Sequence, residues 1–184
     1  MSLDWQKLSA NVMEDSAERP WSGLPGDWHV LHVKSRQEKA LSEELDVRGI
    51  VYFLPLVRQR RVYGRRKAVI EVPLFPGYVF LKGNADEAYS ADRTGRVARI
   101  IAVHDQDRIS RELTNVRLAL SQDGPLDPYP YLREGLRVRV RTGPLQGLEG
   151  LIESRQKQDR LIIQVDVLGQ AVSMEIEGAS LELV

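Results

Sequence analysis

Apolar residues recur at strand and helix spacings through the first two thirds of the chain, between glycines and prolines. Trp28–Val33 is short, apolar and β-branched, and turn residues bound it, so it predicts a strand. In Ser35–Glu38 the serine and the glutamate three residues later predict a capping box that opens a helix. Leu41 and Leu45 then lie on one stripe of that helix, and Gly49 predicts its end.

A β-hairpin is predicted next along the chain. Ile50–Arg61 forms one arm, Ala68–Val72 forms the other, and the tip lies near Tyr63–Arg65. Leu74–Leu81 contains a Pro-Gly turn and continues as a strand. The remaining pattern predicts a helix, a strand and a helix, at Asp86–Asp92, Val97–Val103 and Ser110–Gln122. Strands interleaved with helices favour one α/β sandwich over residues 28–122.

The pattern changes after this sandwich. Residues 123–133 are rich in proline and cannot continue a helix, which predicts a semi-rigid linker. From residue 134 onward the alternation is two-fold, as in Ile163, Val165 and Val167. Short strands of this kind predict a small, closed or nearly closed β-barrel over residues 134–184.

Composition excludes several kinds of site. The chain has no cysteine, so disulfides, cysteine-ligated zinc and thiol catalysis are ruled out. No apolar run approaches the ~20 residues that a membrane-spanning helix needs. Residues 1–27 have neither the build of a signal peptide nor a sustained periodicity. We therefore expect a cytoplasmic protein with no membrane segment and a flexible arm at residues 1–27.

The net charge of zero conceals one basic stretch. Residues 28–82 carry 11 basic and 5 acidic side chains, a local charge of +6. Clustered cationic side chains on a projecting hairpin predict contact with DNA phosphates. The alternative is a solvated hairpin whose charge serves solubility alone. The cationic residues of the predicted hairpin are Arg58, Arg60, Arg61, Arg65, Arg66 and Lys67.

Two motifs identify a family. Phe75–Phe80 reads FPGYVF after the basic hairpin and resembles the signature of the NusG N-terminal domain. Gly135–Gly150 resembles a KOW motif, and Trp28–Leu31 is similar to the aromatic opening of the same N-terminal domain. The resemblance spans roughly residues 28–184 and preserves the domain order. It implies an α+β fold in which a NusG-type N-terminal sandwich precedes a small SH3-like KOW barrel.

The resemblance implies a protein with no active site, no cofactor and no metal. In the family the N-terminal domain binds the clamp helices of RNA polymerase, lies beside upstream or non-template DNA and suppresses pausing. The KOW domain contacts a second partner, such as the termination helicase Rho or a small-subunit ribosomal protein. We therefore expect a monomeric transcription elongation and antitermination factor, either general or specialised for one operon. The alternative function is a ribosome-associated protein that binds RNA through the KOW barrel and the basic hairpin.

Several aromatic and apolar residues match this family's polymerase-binding surface. Trp28, Phe75 and Tyr78 match positions that line the depression contacted by polymerase, and Phe53 and Leu56 are candidates for the same surface. An apolar depression rimmed by aromatic side chains suits the tip of an amphipathic helix. The alternative is that these side chains are ordinary members of the core.

The KOW motif contributes a second set of candidates. Leu145 and Leu148 lie in the loop that makes partner contacts in the family, although an aromatic residue is common at the position of Leu145. The alternative is that both leucines plug the end of the barrel. Arg137, Arg139 and Arg141 share one face of a predicted strand. We expect that face to be solvated rather than RNA-binding, because glutamates lie nearby in the sequence.

The histidines do not predict a metal site. His29 and His32 are three apart on a predicted strand, so they point to opposite faces and cannot share an ion. The sequence also contains no phosphate-binding loop, nucleophile elbow or His-Glu-x-x-His helix.

Overall fold

The computed structural model describes residues 21, 23–64, 66–122, 126–129, 131, 135–154, 159–176 and 181–184. The chain divides into two compact units, residues 1–106 and residues 107–184. Most of the predicted N-terminal arm and Arg65 of the predicted hairpin lie outside the described residues.

The described residues of the first unit form six strands and two helices. A four-stranded antiparallel sheet has the order β2-β5-β1-β6, and β3 and β4 form a separate antiparallel hairpin. The strands are β1 (Asp27–Val33), β2 (Val51–Phe53), β3 (Leu56–Tyr63), β4 (Arg66–Pro73), β5 (Tyr78–Gly83) and β6 (Val97–Ala102). The helices are α1 (Glu38–Arg48) and α2 (Ala85–Asp92).

One face of the four-stranded sheet packs against both helices. Leu41 and Leu45 of α1 and Ala88 and Ala91 of α2 are buried against the strands, as the stripe predicted for the first helix requires. Gly49 ends α1 in the left-handed conformation, with φ of +68°, where a side chain would be strained. The strand residues of this core are Leu31, Val33, Val79, Leu81 and Val97.

The predicted capping box at Ser35–Glu38 is wrong. α1 begins at Glu38, and its N-cap residue Gln37 makes no side-chain capping bond. The Glu38 carboxylate instead accepts a hydrogen bond of 2.7 Å from the backbone N–H of Gly77, a long-range partner that local sequence cannot indicate. A capping box does open α2, where Asn84 and Glu87 bond to each other's backbone N–H groups.

The predicted hairpin arm Ile50–Arg61 is two strands in different sheets. β2 pairs with β5 at the edge of the four-stranded sheet, whereas β3 pairs with β4. The break falls at buried Leu54 and at Pro55, which has no backbone N–H to donate to a ladder. The Pro55 carbonyl accepts a bond of 2.8 Å from the Leu74 N–H and closes the base of the hairpin.

The second unit is an antiparallel six-stranded sheet preceded by a helix. The strand order is β12-β8-β9-β10-β11-β7, so β12 and β7 are the end strands and the described strands form an open sheet. The helix is α3 (Gln106–Leu120), whose first residue belongs to the first unit. The strands are β7 (Asp127–Tyr129), β8 (Leu136–Val140), β9 (Glu149–Ser154), β10 (Asp159–Val165), β11 (Gln170–Ile176) and β12 (Leu181–Leu183).

The division between the units differs from the predicted one. The sequence places the last helix with the first domain and a linker at residues 123–133. In the structure α3 belongs to the second unit from Asp107 onward, because its polar side chains bond to the backbone there. Within the predicted linker, Asp127–Tyr129 forms β7 and pairs with β11. Val167 lies in a 3-10 helix, Asp166–Leu168, rather than in the predicted strand.

Taken together, the two units have the α+β fold that the sequence predicts. None of the helices among the described residues is long and apolar enough to cross a membrane.

Candidate functional site

The second face of the four-stranded sheet is aromatic. Alternation along β1 and β5 places every second residue on this face, opposite the helices. The strand register then forms cross-strand pairs: His32 with Tyr78, Val30 with Phe80, and Trp28 with Lys82. On the edge strand β2, Phe53 lies opposite Phe80 and joins the same face. We call these residues, together with Phe75, the aromatic face.

Ring contacts occur in several places on the aromatic face. Phe80 lies at its centre, with ring centroids 6.3 Å from Phe53 and 6.3 Å edge-to-face from Phe75. The ring of His32 stacks on Tyr78 at 5.2 Å. The ammonium of Lys82 lies 5.5 Å from the centre of the Trp28 ring, within the range of a cation–π interaction.

Exposure and packing together separate the five residues predicted to bind polymerase into three groups. Trp28 and Phe75 are each 1% exposed, so they support the face from below. Tyr78 and Phe53 are half-buried and present part of their rings at the surface. Leu56 is also half-buried, but it packs against the core on the helical side of the sheet. The structure therefore brings four of the five candidates onto one face and places Leu56 elsewhere.

The turn before β5 sets the position of Tyr78. The Glu38 carboxylate, itself buried, holds the Gly77 N–H. The Gly77 carbonyl accepts a bond of 2.8 Å from the Val33 N–H, and the Tyr78 N–H donates to the Phe75 carbonyl at 3.2 Å. These bonds fix the start of β5 against the end of β1, which is where Tyr78 meets His32.

A side-chain amide completes the opposite end of β1. Gln106 Oε1 accepts a bond of 2.6 Å from the Trp28 N–H, and its Nε2 donates to the Trp28 carbonyl at 3.0 Å. The amide of Gln106 thus satisfies both backbone groups of Trp28, as a neighbouring strand residue would. The result is a fixed backbone beneath the Trp28 ring.

The basic hairpin displays its charges to solvent. Arg58, Arg60, Arg61 and Lys67 are all exposed. Only Arg58 has a carboxylate partner near it among these, with its Nε 3.7 Å from Glu71. Arg65, and the side chain of Arg66, lie outside the described part of the chain.

The strand register gathers basic and apolar side chains on one face of this hairpin. Arg60 lies opposite Val69, and Val62 lies opposite Lys67. Both valines are largely exposed. Among the described hairpin residues, no carboxylate faces Arg60 or Lys67 in the way that Glu71 faces Arg58, so this surface is positively charged.

The KOW-motif loop is closely bonded to its own unit. Leu148 is fully buried, whereas Leu145 is half-buried. The Leu148 carbonyl accepts a bond of 2.9 Å from the Val140 N–H. From α3, the Asn115 side chain accepts a bond of 3.2 Å from the Glu149 N–H at the end of the loop. Burial leaves Leu145 as the more accessible of the two candidate leucines.

The arginine face of β8 is paired with carboxylates. Arg139 Nε donates to Glu149 at 2.8 Å, and this bond raises the pKa of the Arg139 guanidinium. Glu182 lies 3.6 Å from Arg139 and 3.7 Å from Arg141. The charge of this face is therefore largely balanced, unlike that of the hairpin.

The described residues contain no group of histidine, aspartate and glutamate side chains that could hold a metal ion. His32 lies on the aromatic face, and alternation along β1 places His29 on the other face of the sheet.

A half-buried carboxyl group on α3 contacts the backbone of the 3-10 helix in the same unit. Glu112 Oε2 accepts a bond of 3.1 Å from the Asp166 N–H, and its Oε1 accepts one of 3.1 Å from Arg108. Burial raises the pKa of Glu112 to about 7, although Arg108 and Arg137 oppose the shift.

Glu112 is expected to make stability depend on pH. Its pKa in the folded protein lies above the value of 4.5 for an unperturbed carboxyl, so its stabilising contribution is complete below pH 4.5 and is lost as pH rises through 7. Compared with a Glu112→Gln variant, the protein should lose about 2–3 kcal/mol of unfolding free energy between pH 4.5 and pH 8. Urea unfolding of both proteins across this range checks the prediction. Parallel pH profiles would contradict it.

Comparison with known proteins assigns the family. The family model described as "Transcription termination factor nusG" matches residues 26–117, which is half of the chain. This chain belongs to the NusG family. The match covers the whole aromatic face and the basic hairpin, and it makes the protein a transcription termination/antitermination factor of that family. The resemblance stated from FPGYVF and the KOW motif is confirmed.

Curated NusG proteins are similar over most of their length. The "Transcription termination/antitermination protein NusG" of Borreliella burgdorferi is 20% identical over 178 residues, which cover 84% of this chain and 97% of that protein. The protein of the same description from Helicobacter pylori is 23% identical over 171 residues, covering 85% and 97%. A solved structure, "Domain interaction in Thermotoga maritima NusG", shares 21% identity and covers 85% of this chain and 96% of its own, with a TM-score of 0.42.

Sequence reasoning missed several members of the NusG-type aromatic face. Phe80, His32 and Lys82 lie on it beside the predicted residues. Strand alternation from Tyr78 and Trp28 could have found all three. Trp21, which sequence analysis assigned to a flexible arm, also packs on this face.

Proposed function

We propose that this protein is a cytoplasmic, non-enzymatic factor that binds RNA polymerase through the aromatic face and modulates pausing or termination. The observation that carries the proposal is an aromatic-rich sheet face within the NusG-matched region, on which Tyr78 and Phe53 present part of their rings at the surface. Half-buried rings over a fixed base can each supply a large share of binding energy, because little entropy is lost when they are covered.

The chemistry of this face favours the tip of an amphipathic helix as its ligand. Its apolar centre is accessible through the half-buried rings of Phe53 and Tyr78, while Phe80 and Val30 are fully buried. Its margins carry Lys82 and the exposed Arg99, which lies opposite His32 across the sheet. An apolar centre with a basic margin suits a helix that presents leucines flanked by acidic side chains. We propose the clamp helices of polymerase as that ligand, with Tyr78 and Phe53 in contact and Trp28 and Phe75 in support.

The basic hairpin is proposed to contact upstream or non-template DNA. Three side chains support this role: Arg60, Arg61 and Lys67 are exposed, and no carboxylate lies near them among the described residues. Each phosphate contact by such a group releases counterions and makes binding sensitive to salt.

We propose Leu145 as the contact residue of the KOW domain for a second partner, either Rho or a small-subunit ribosomal protein. It is half-buried at the surface of the loop, and Leu148 holds that loop from inside. Among the described residues of β8, Arg139 and Arg141 face carboxylates, so this strand offers little free positive charge for ribosomal RNA.

A co-sedimentation experiment tests the proposed function. The purified full chain is mixed with bacterial RNA polymerase core enzyme in one series and with ribosomes in another, at the same salt concentration. We expect saturable binding to polymerase, and we expect elongation past a pause site to change when the chain is added. Saturable binding to ribosomes with none to polymerase would instead support the alternative function of an RNA-binding ribosomal factor.

A further inference from the structure

Trp21 covers part of the surface assigned to polymerase. Its ring lies edge-on to Trp28 at 5.2 Å, with an interplanar angle of 86°, and contacts Phe53 at 5.2 Å. Phe53 is a half-buried residue of the aromatic face, so a ligand that packs on Phe53 meets Trp21 first. This residue precedes β1 and belongs to none of the strands or helices of the unit.

The contact that Trp21 makes is incomplete. The indole Nε1–H is buried and has no hydrogen-bond partner among the described residues. A buried indole N–H normally finds an acceptor, and leaving it unpaired offsets part of what the ring gains by burial. The contact of Trp21 with the aromatic face is therefore less stable than the buried area of its ring suggests. A ligand side chain can displace a ring that is held this weakly.

The chain is anchored at Gly26, five residues after Trp21, which keeps the ring within reach of the face. A Cβ built on Gly26 would come within 2.3 Å of the Gly83 backbone, so these two segments are in close contact. A turn joins the Trp21 carbonyl to the Leu24 N–H at 3.3 Å. A side chain held on so short a tether has a high effective concentration at its site even when its own contact is weak.

We propose that Trp21 is an internal competitor for the polymerase-binding surface. It covers Trp28 and Phe53 in the free protein and leaves when an apolar side chain of the polymerase takes its place. The inference rests on the proposed function, since it assumes that polymerase binds the aromatic face. The apparent affinity for polymerase then equals the affinity of the open face multiplied by the fraction of molecules in which the face is open.

The test compares polymerase affinity among matched variants. Trp21→Ala opens the face in every molecule. If the face of the parent protein is open in about a tenth of molecules, this variant should bind RNA polymerase core enzyme about tenfold more tightly. Trp21→Phe retains a covering ring and should stay within about threefold of the parent protein. Thermal unfolding of each variant establishes that it is folded. Unchanged or weaker binding by folded Trp21→Ala would overturn the inference.

A variant on the same face separates this inference from the proposed function. Tyr78→Ala should weaken polymerase binding whether or not Trp21 competes. Should Tyr78→Ala bind as tightly as the parent protein, the proposed surface itself is wrong. Should Tyr78→Ala bind weakly while Trp21→Ala binds no more tightly than the parent, only the competitor role is lost.

Fluorine NMR gives a direct view of the displacement. With 5-fluorotryptophan in the full chain, the signal that disappears in Trp21→Phe is that of Trp21. On saturation with polymerase we expect this signal to move to the position of a solvent-exposed indole. A signal that keeps its free-protein position in the saturated complex would show that Trp21 stays on the face, contrary to the proposal.

Discussion

Replacing Phe75 with alanine is expected to lower the free energy of unfolding by about 3–5 kcal/mol, because it removes a large buried ring and leaves a cavity. Phe75 is 1% exposed and contacts Phe80 edge-to-face at 6.3 Å, so its removal leaves a cavity beside Phe80 at the centre of the aromatic face. Urea or thermal unfolding measures the change. Tyr78→Ala is the matched control, and we expect it to cost much less stability because Tyr78 is half-buried.

The Phe75 result also decides between two roles for this residue. A supporting role predicts that polymerase affinity falls only to the extent that the variant unfolds. A folded Phe75→Ala protein of normal stability that binds polymerase poorly would contradict the supporting role and make Phe75 a direct contact.

Replacing Arg60, Arg61 and Lys67 with glutamine is expected to reduce crosslinking to upstream or non-template DNA strongly while leaving polymerase binding intact. Each lost phosphate contact should reduce the slope of log affinity against log salt by about 0.9 for duplex DNA, so three contacts reduce it by about 3. Because all three side chains are exposed, their replacement should change stability little. Crosslinking in an elongation complex at several salt concentrations measures the effect.

A matched charge change elsewhere serves as the control for the hairpin. Replacing Arg137, Arg139 and Arg141 with glutamine removes the same charge from the second unit, where Glu149 and Glu182 balance it. We expect that variant to crosslink like the parent protein. An equal loss in both variants would mean that total charge, and not the hairpin, determines DNA contact.

Much of the fold follows from local pattern. β1, the Gly49 end of α1, α2 and β6 are predicted nearly to the residue, because apolar spacing and turn residues agree there. The predicted capping box failed because Glu38 has a better partner, Gly77, 39 positions away in the chain. β7 was missed because proline-rich sequence resembles a linker until its pairing partner β11 is known.

The candidate site was predicted only in part, because it too depends on contacts between residues that are distant in the sequence. A family motif supplied Trp28, Phe75 and Tyr78, but motif and spacing alone cannot distinguish a buried ring from an exposed one. The burial of a ring depends on which side chains of the neighbouring strand and of the preceding segment pack against it, and only the fold shows this. Trp21 is the clearest case, since its neighbours Trp28 and Phe53 are 7 and 32 positions away.

The affinity of the full chain for RNA polymerase core enzyme, compared between the parent protein and a variant carrying both Phe53→Ala and Tyr78→Ala, shows whether the aromatic face binds polymerase. Tyr89→Ala is the matched control, because Tyr89 is a 62% exposed tyrosine on α2, on the other side of the sheet. We expect the paired variant to bind at least about tenfold more weakly, or ~1.4 kcal/mol, and the control to bind normally. Equal affinity of the folded paired variant and the parent protein would contradict the claim that the aromatic face binds polymerase.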